Sequence, residues 1–162
     1  MKVVIQRVKS ASVTVDNAIV SEIKKGLCLL VGISTDDTTD DVSKLASKIL
    51  KLKLFEDTDQ SAGTNTEWVG KPWMKSIVDI NGEILSVSQF TLYANIKKGA
   101  KPDFHKAQKG QHAIELYNDF LSQLKSGMNN ENSVKDGQFG AMMDVALVND
   151  GPVTIVWDTK EK

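Results

Sequence analysis

The sequence is poor in the residues that most often carry chemistry: one cysteine, two histidines and three prolines among 162 residues, with aromatics at 6%. A single cysteine excludes an intrachain disulfide. Cys28, inside the apolar run 26–32, reads as a small buried hydrophobe rather than a nucleophile. His105 and His112 stand without a His-x-Glu or His-x-x-x-His spacing and without a cysteine pair, so no zinc set is legible and neither metal nor cofactor is expected. Nothing in the spacing brings either histidine to a serine or threonine, and catalysis is not expected to rest on a histidine base. No apolar run approaches the ~20 residues that cross a bilayer, and the first residues lack the basic-then-apolar layout of a signal peptide. The near balance of 20 basic and 21 acidic residues, formally −1, excludes a protein that coats nucleic acid non-specifically, while leaving room for a local contact. These absences leave the expectation of a soluble, cytoplasmic chain with one domain over 1–162, long enough to bury roughly two-thirds of its unfolded surface.

What is present is strand periodicity. Val13 and Val15 alternate with Ser12, Thr14 and Asp16; a turn at Asp16-Asn17 leads into 19–23 and then into the apolar run 27–33, the pattern of a small antiparallel sheet. Thr38 followed three residues later by Asp41 has the layout of a capping box, and Val42, Leu45, Ala46, Ile49 and Leu50 give the helix it opens one apolar face. A strand over 51–55 is expected next. Residues 56–75 are polar, hold Gly63, Gly70 and Pro72, and read as a long surface loop whose Trp68 and Trp73 either pack it down or form a contact surface. Asn81-Gly82 between 77–80 and 83–87 predicts a two-residue hairpin whose second strand ends at Ser88. Ala113, Leu116, Tyr117, Phe120, Leu121 and Leu124 stripe a second helix with a stop at Ser126-Gly127. A loop over 129–133 follows, then strands over 142–148 and 153–157 joined across 149–152. The pattern describes an α/β fold of strand-rich mixed sheets, layered or barrel-like, in a single domain with helices covering sheet.

Two segments carry the functional signal. Ser88-Gln89-Phe90-Thr91 puts hydroxyl and amide groups where an apolar strand stops, and Asn149-Asp150-Gly151-Pro152 joins the residue without a side chain to the one that readily takes a cis peptide bond. Thr91 has three readings: an acyl-accepting nucleophile, an ordinary packing and hydrogen-bonding threonine, or, with Phe90, a source of backbone N–H donors for an oxyanion. Gly151-Pro152 reads either as a tight turn between strands or as backbone offered to a ligand. Lys97, Lys98, Lys101, Lys106 and Lys109 with His105 gather positive charge opposed there only by Asp103: a solvated loop, or a seat for phosphates.

The same segments resemble the D-aminoacyl-tRNA deacylase family. Besides Ser88-Gln89-Phe90-Thr91-Leu92-Tyr93-Ala94 and Asn149-Asp150-Gly151-Pro152-Val153-Thr154, the likeness includes the opening residues 1–8, 30–33, Lys98-Gly99-Ala100-Lys101-Pro102, and Gly137-Gln138-Phe139-Gly140-Ala141-Met142-Met143. It implies a homodimeric hydrolase that frees D-amino acids from tRNA in translation quality control. In that family the Gly-Pro bond is cis and is inserted into the partner subunit's pocket, where its carbonyl oxygens would take the substrate ammonium and crowd the face of an L side chain. Discrimination by exclusion implies breadth among D-amino acids and some hydrolysis of glycyl-tRNA. The resemblance makes Ser88, Gln89, Phe90 and Thr91 the catalytic pocket. It gives Phe139, Gly140, Ala141, Met142 and Met143 to the terminal adenosine, with Phe139 either stacking on the base or opening a buried strand. Lys97, Lys98 and Lys101 become contacts to the acceptor end. Arg7, on an otherwise apolar strand, either holds the Gly-Pro turn by hydrogen bonds to its carbonyls or is a plain surface residue. Departures from the usual pattern are the long loop before Trp73, Ala100-Lys101 where Asn-Arg is usual, and Asp103 where serine is common. The competing classes are a non-catalytic nucleic-acid-binding dimer of the same fold and an esterase acting on small D-amino-acid esters.

Overall fold

The computed structural model describes residues 1–64 and 67–161. In chain order its elements are β1 (Lys2–Val15), β2 (Ala18–Ile23), β3 (Gly26–Gly32), α1 (Thr39–Lys51), β4 (Phe55–Asp57), β5 (Lys71–Lys75), β6 (Glu83–Ser88), a 3₁₀ turn (Phe90–Tyr93), α2 (Gly110–Gly127), a second 3₁₀ turn (Glu131–Ser133), β7 (Val134–Asp136) and β8 (Asp144–Asp158). β1 organises them. Its residues 2–8 pair antiparallel with β3 and its residues 11–15 with β2, while β8 runs antiparallel along its opposite edge. β6 lies parallel to β3 and β7 parallel to β6. The far edge then bends back: Lys135 Nζ donates to the Glu22 carbonyl at 2.8 Å and the Ser21 hydroxyl to that of Asp136, so β7 meets β2 and the mixed sheet is a nearly closed barrel.

The alternation of β1 explains how one strand serves two cores. Val3 and Ile5 point into a cluster with Leu27, Leu29 and the inner faces of both helices, including Leu45, Ile49, Phe120 and Leu124. Val8, Ala11 and Val13 point into the barrel interior with Ile23, Cys28, Leu85 and Val87. Between the two sets the period of two breaks, with Arg7 and Val8 both buried and Lys9 and Ser10 both exposed. At the amino terminus a third set of contacts joins distant parts of the chain. The buried Met1 ammonium donates to Asp37 Oδ1 (2.8 Å) and to the Thr159 hydroxyl (2.7 Å), and Thr159 donates to Asp41 Oδ1 (2.8 Å). Burial pushes the Asp41 carboxyl up, but Lys160, the Thr38 N–H, the Thr159 hydroxyl and the terminal ammonium outweigh it and hold the group well below its ordinary 3.8.

The Thr38/Asp41 capping box, both apolar helix stripes and the 16–17 turn lie where the sequence puts them. Three expectations are corrected. Residues 51–55 are not a strand: α1 runs to Lys51, and the strand is Phe55–Asp57, held against Lys71–Lys75 once Leu54 and Phe55 are buried in the helix-side core. The loop over 56–75 is therefore closed at both ends by a two-stranded sheet; its Asn65 and Thr66 lie outside the described residues. Asn81-Gly82 makes no hairpin. Residues 77–80 form turns closed by Ile80 N–H to the Ser76 carbonyl (3.2 Å), and β6 leaves them to pair in parallel with β3. Gly26 selects that pairing, since a Cβ on it would lie 1.8 Å from the Glu83 carbonyl oxygen. Finally, 142–148 and 153–157 are parts of the one strand β8, which starts at Asp144. Among the described residues no helix is long and apolar enough to cross a membrane.

Two outcomes follow from this framework. Gly26→Ala should forfeit the β3–β6 contact and lower unfolding free energy by about 1–3 kcal/mol or more, read from chemical denaturation midpoints at constant m. Asp41 has a depressed folded value, so its stabilisation is present above pH 3.8 and lost as the pH falls through the folded value. Asp41→Asn should therefore melt below the parent at pH 7, with the gap closing in melts taken progressively below pH 3.8.

Candidate functional site

β6 delivers Ser88 to the mouth of the barrel, and the chain then folds into the 3₁₀ turn Phe90–Tyr93. Gln89 N–H donates to the Val31 carbonyl at 2.7 Å, which pins the turn to the end of β3. The first donors of such a turn have no carbonyl behind them. Leu92 N–H reaches the Gln89 carbonyl (3.3 Å), but among the described residues neither Phe90 N–H nor Thr91 N–H donates to a backbone carbonyl. The Thr91 hydroxyl accepts from the Gln89 side-chain amide, and no described histidine, aspartate or glutamate bonds to it. A threonine without a base is a poor nucleophile, whereas two unpaired backbone donors are ready acceptor-binding groups.

Beside this turn lies a cleft of about 540 Å³. Ser88, Gln89 and Phe90 line it together with all five residues from Phe139 to Met143, so two segments separated by 48 residues of sequence meet in one site. Phe139 sits in a turn, not in a buried strand; its ring packs 5.8 Å from that of Tyr117 and remains partly exposed. Met142 is 92% exposed, while the Met143 sulfur accepts from Gln138 N–H at 3.4 Å. Under the cleft the buried Ser86 and Tyr117 hydroxyls share a 2.9 Å hydrogen bond. Burial pushes the Tyr117 hydroxyl far above its ordinary value, against the pull of Ser86, so it stays neutral.

Sequence reasoning counted Lys109 in a basic cluster and Ala113 in a helix stripe, but assigned neither to the wall of a cleft. Gln108, Lys109, Gly110 and Ala113, at the start of α2, line the cleft, with Ile33 and Val145 completing it. Gln108 N–H donates to the Ile33 carbonyl (2.8 Å), which seats the helix start there. The available signal was a Lys-Gly pair just ahead of an apolar helical stripe, since a helix start presents unpaired N–H groups.

Lys97, Lys98 and Lys101 are not in the cleft. They are exposed on a loop closed by reciprocal bonds between Asn95 and Asp103 (2.7 and 2.9 Å), and Phe104 beyond it packs edge-on against Phe90 at 5.1 Å. Asp103 bonds the His105 ring, which with the His105 and Phe104 N–H groups holds its carboxyl below the ordinary value.

Gly151 and Pro152 do not line the cleft of their own chain. Gln6 is opposite Thr154 and Val8 is opposite Asn149, so Asp150, Gly151, Pro152 and Val153 all bulge out of β8 over Arg7. The Gly151-Pro152 bond is cis, both residues are exposed, and Gly151 has φ +124, where a Cβ would meet Val153 N at 2.9 Å. Arg7, the one arginine of the sequence, is buried. Its Nε donates to the Asp150 carbonyl (3.2 Å) beside the Asp150 carboxylate (3.4 Å), and its Nη1 to the Leu54 carbonyl (2.8 Å). The surface alternative for Arg7 is thus overturned, and the carbonyl it holds belongs to the residue preceding Gly151.

A sequence profile described as D-Tyr-tRNA(Tyr) deacylase matches residues 4–158. A protein of Candida glabrata named D-aminoacyl-tRNA deacylase is 58% identical over 161 residues, 99% of this chain and 100% of that one. The chain belongs to the D-aminoacyl-tRNA deacylase family. It is a hydrolase of that family, and a Saccharomyces cerevisiae relative of the same name is 52% identical over the same extent. Among solved structures, one described as c-Myc DNA Unwinding Element Binding Protein matches with a TM-score of 0.86 and 46% identity, covering 98% of each chain. Another, described as a probable eukaryotic D-amino acid tRNA deacylase, shares the fold with a TM-score of 0.76 at 17% identity, covering 96% of this chain and 97% of that one.

Cys28 stands apart from the deacylase chemistry: on β3 beside β6 it is fully buried in the barrel interior, and burial pushes its thiol up to about 11. Iodoacetamide at pH 8 should leave the native protein unlabelled and alkylate it once per chain after unfolding, as read by intact mass. Native labelling at the rate of a free thiol would contradict this burial.

Proposed function

We propose that this chain acts as a homodimer that hydrolyses the ester of D-aminoacyl-tRNA, with one subunit's Gly151-Pro152 completing the other's cleft. The observation that carries the reading is the pair of unpaired N–H groups, Phe90 and Thr91, beside a cleft lined by Ser88, Gln89 and residues 139–143. The carbonyl oxygen of the ester takes on negative charge as water adds, and fixed donors there are worth about 3 kcal/mol each because they need no reorganisation. The ester is labile, and the neighbouring 2′-hydroxyl of the terminal adenosine helps to activate the water, so positioning and backbone donors suffice. Phe139 offers its exposed ring to the adenine base, with Gly140, Ala141, Met142 and Met143 as the wall beside it. Lys97, Lys98 and Lys101, exposed on the loop that leads to Phe104 and its contact with Phe90, would serve the acceptor-end phosphates.

Dimerisation is supported by β8. Its outer edge has no strand partner among the described residues, and it carries exposed Val145, Val148 and Val156, with Met142 just ahead of it. A long apolar edge of this kind is covered in stable proteins. A partner there would carry the Gly151-Pro152 bulge, which is not part of the lining of its own cleft, to the cleft of the other subunit. Its backbone carbonyls would take the substrate ammonium and exclude an L side chain.

The second reading is a nucleic-acid-binding dimer without catalysis. It is favoured by the lysine loop and by the name of the 46%-identical structure, a DNA unwinding element binding protein. Hydrolysis decides between them. In chelator, low concentrations of the protein should deacylate D-tyrosyl-tRNA rapidly and leave L-tyrosyl-tRNA intact, with glycyl-tRNA hydrolysed to an intermediate degree. Loss of neither ester would hand the case to the binding reading, and equal loss of the D and L esters would leave a hydrolase in which the Gly151-Pro152 turn does not select chirality. Thr91→Ala should retain most of the D-tyrosyl-tRNA rate, because the backbone donor survives the substitution; a near-total loss would make Thr91 the nucleophile after all.

A further inference from the structure

Arg7 is 6% exposed and permanently charged, so its guanidinium has to be satisfied where it stands. Its in-plane donors are aimed at Leu54 and at Asp150. Its flat face meets an aromatic ring: the guanidinium carbon lies 4.5 Å from the centroid of Trp68, closer than the 6.0 Å to Phe55. At that distance the ring quadrupole attracts the cation and keeps water off it. Trp68 comes from the long loop between β4 and β5, and the loop is fastened close by. Gly70 N–H donates to the Glu56 carboxylate at 2.8 Å, Lys71 N–H to the Gln60 carbonyl at 3.0 Å, and the Trp73 ring packs 5.1 Å from that of Trp68 at a 59° tilt.

We infer that Trp68 is a positioning residue: its indole face holds the Arg7 guanidinium against the Asp150–Val153 bulge and thereby fixes the Gly151-Pro152 turn that separates D from L substrates. The inference rests on the cross-subunit function proposed for that turn. A long arginine side chain with an open face samples several rotamers, and each would move the Asp150 carbonyl it bonds. Covering the face removes those alternatives without adding a competing acceptor. Arg7 Nη2 lies 3.4 Å from where a Cβ on Gly151 would be, so displacement of the guanidinium reaches the turn directly. The long loop then has a task in the site although none of its residues lines the cleft.

The test uses the full chain and three variants, Trp68→Leu, Trp68→Phe and Gly151→Ala, with kcat and KM measured on D- and L-tyrosyl-tRNA and Tm measured in parallel. Trp68→Leu should lower the D-over-L ratio of kcat/KM about tenfold while Trp68→Phe, which keeps an aromatic face, stays within about twofold of the parent. If Trp68→Leu does not fold, Trp68→Met takes its place. An unchanged ratio in Trp68→Leu beside a lowered ratio in Gly151→Ala overturns the role of Trp68 and leaves the turn's role standing. Unchanged ratios in both overturn the role of the turn and this inference with it. Equal losses in the Leu and Phe variants, or D and L rates that fall in proportion with Tm, make Trp68 a merely structural residue and overturn the inference.

Discussion

Hydrogen bonding along both edges of β1 constrains almost everything else. β3 and β2 share one edge, β8 takes the other, and the inward face of the strand changes from the helix-side core to the barrel interior near its middle. A β-strand alternates strictly, so this change of core requires a break, and the break falls at Arg7. A buried guanidinium with no partners would be strongly destabilising, by about 3–5 kcal/mol when a buried ion pair loses one member. The surrounding chain meets its needs by departing from the ladder: β8 bulges over Arg7 and brings Asp150 to it, while the segment ahead of β4 offers the Leu54 carbonyl. The exposed Gly151-Pro152 turn is thus a consequence of how the central strand is satisfied.

The same economy shapes the cleft. Several side chains that ordinarily supply nucleophiles or bases are shielded or already bonded here. The Cys28 thiol is raised by burial, the Tyr117 hydroxyl is neutral and bonded to Ser86, and the Thr91 hydroxyl bonds an amide. Among the described residues, the Phe90 and Thr91 N–H groups beside the cleft have no backbone acceptor. Donors held by a 3₁₀ turn that is pinned to β3 are already in position when charge develops, and their geometry does not depend on the protonation of any side chain. The proposed function then assigns rate and selectivity to different places: the Phe90–Thr91 turn at the end of β6 to the first, the β8 bulge to the second.

Several of these features are legible in one sequence because they are local. A threonine and an aspartate three residues apart cap α1, and six apolar residues at helical spacing bury one face of α2; neither depends on distant partners. Asn81-Gly82 misleads for the opposite reason. Asn81 does take a positive φ of 52°, as its dipeptide favours, but whether the flanking residues become a hairpin is decided by β3, whose Gly26 leaves room for β6 alongside. The break between α1 and β4 was hidden by Leu52, Leu54 and Phe55, apolar in a way that suits either a helix end or a strand until burial against the core selects one. Ser88-Gln89-Phe90-Thr91 and residues 139–143 each carried a signal, yet their meeting in one cleft depends on β7 returning beside β6, a three-residue strand with no periodicity to read.

The lining of the cleft bears on how selection can work at all. Of the described residues that line it only Lys109 is charged, and the rest are apolar, small or neutral amides and hydroxyls. A site built to recognise one amino-acid side chain would place matched polar partners around it, and would lose substrates that lack them by orders of magnitude. A site that must accept many side chains of one hand cannot use that device. It can only fix the ammonium and the ester carbonyl and obstruct the remaining direction, and obstruction demands a rigid object whose position tolerates little error. Backbone with φ +124, in a bulge clamped to a buried arginine, meets that demand better than any rotatable side chain would. Under the proposed function, the rigidity needed at Gly151-Pro152 and the requirement that β1 bury Arg7 between its two cores are therefore met by the same contacts.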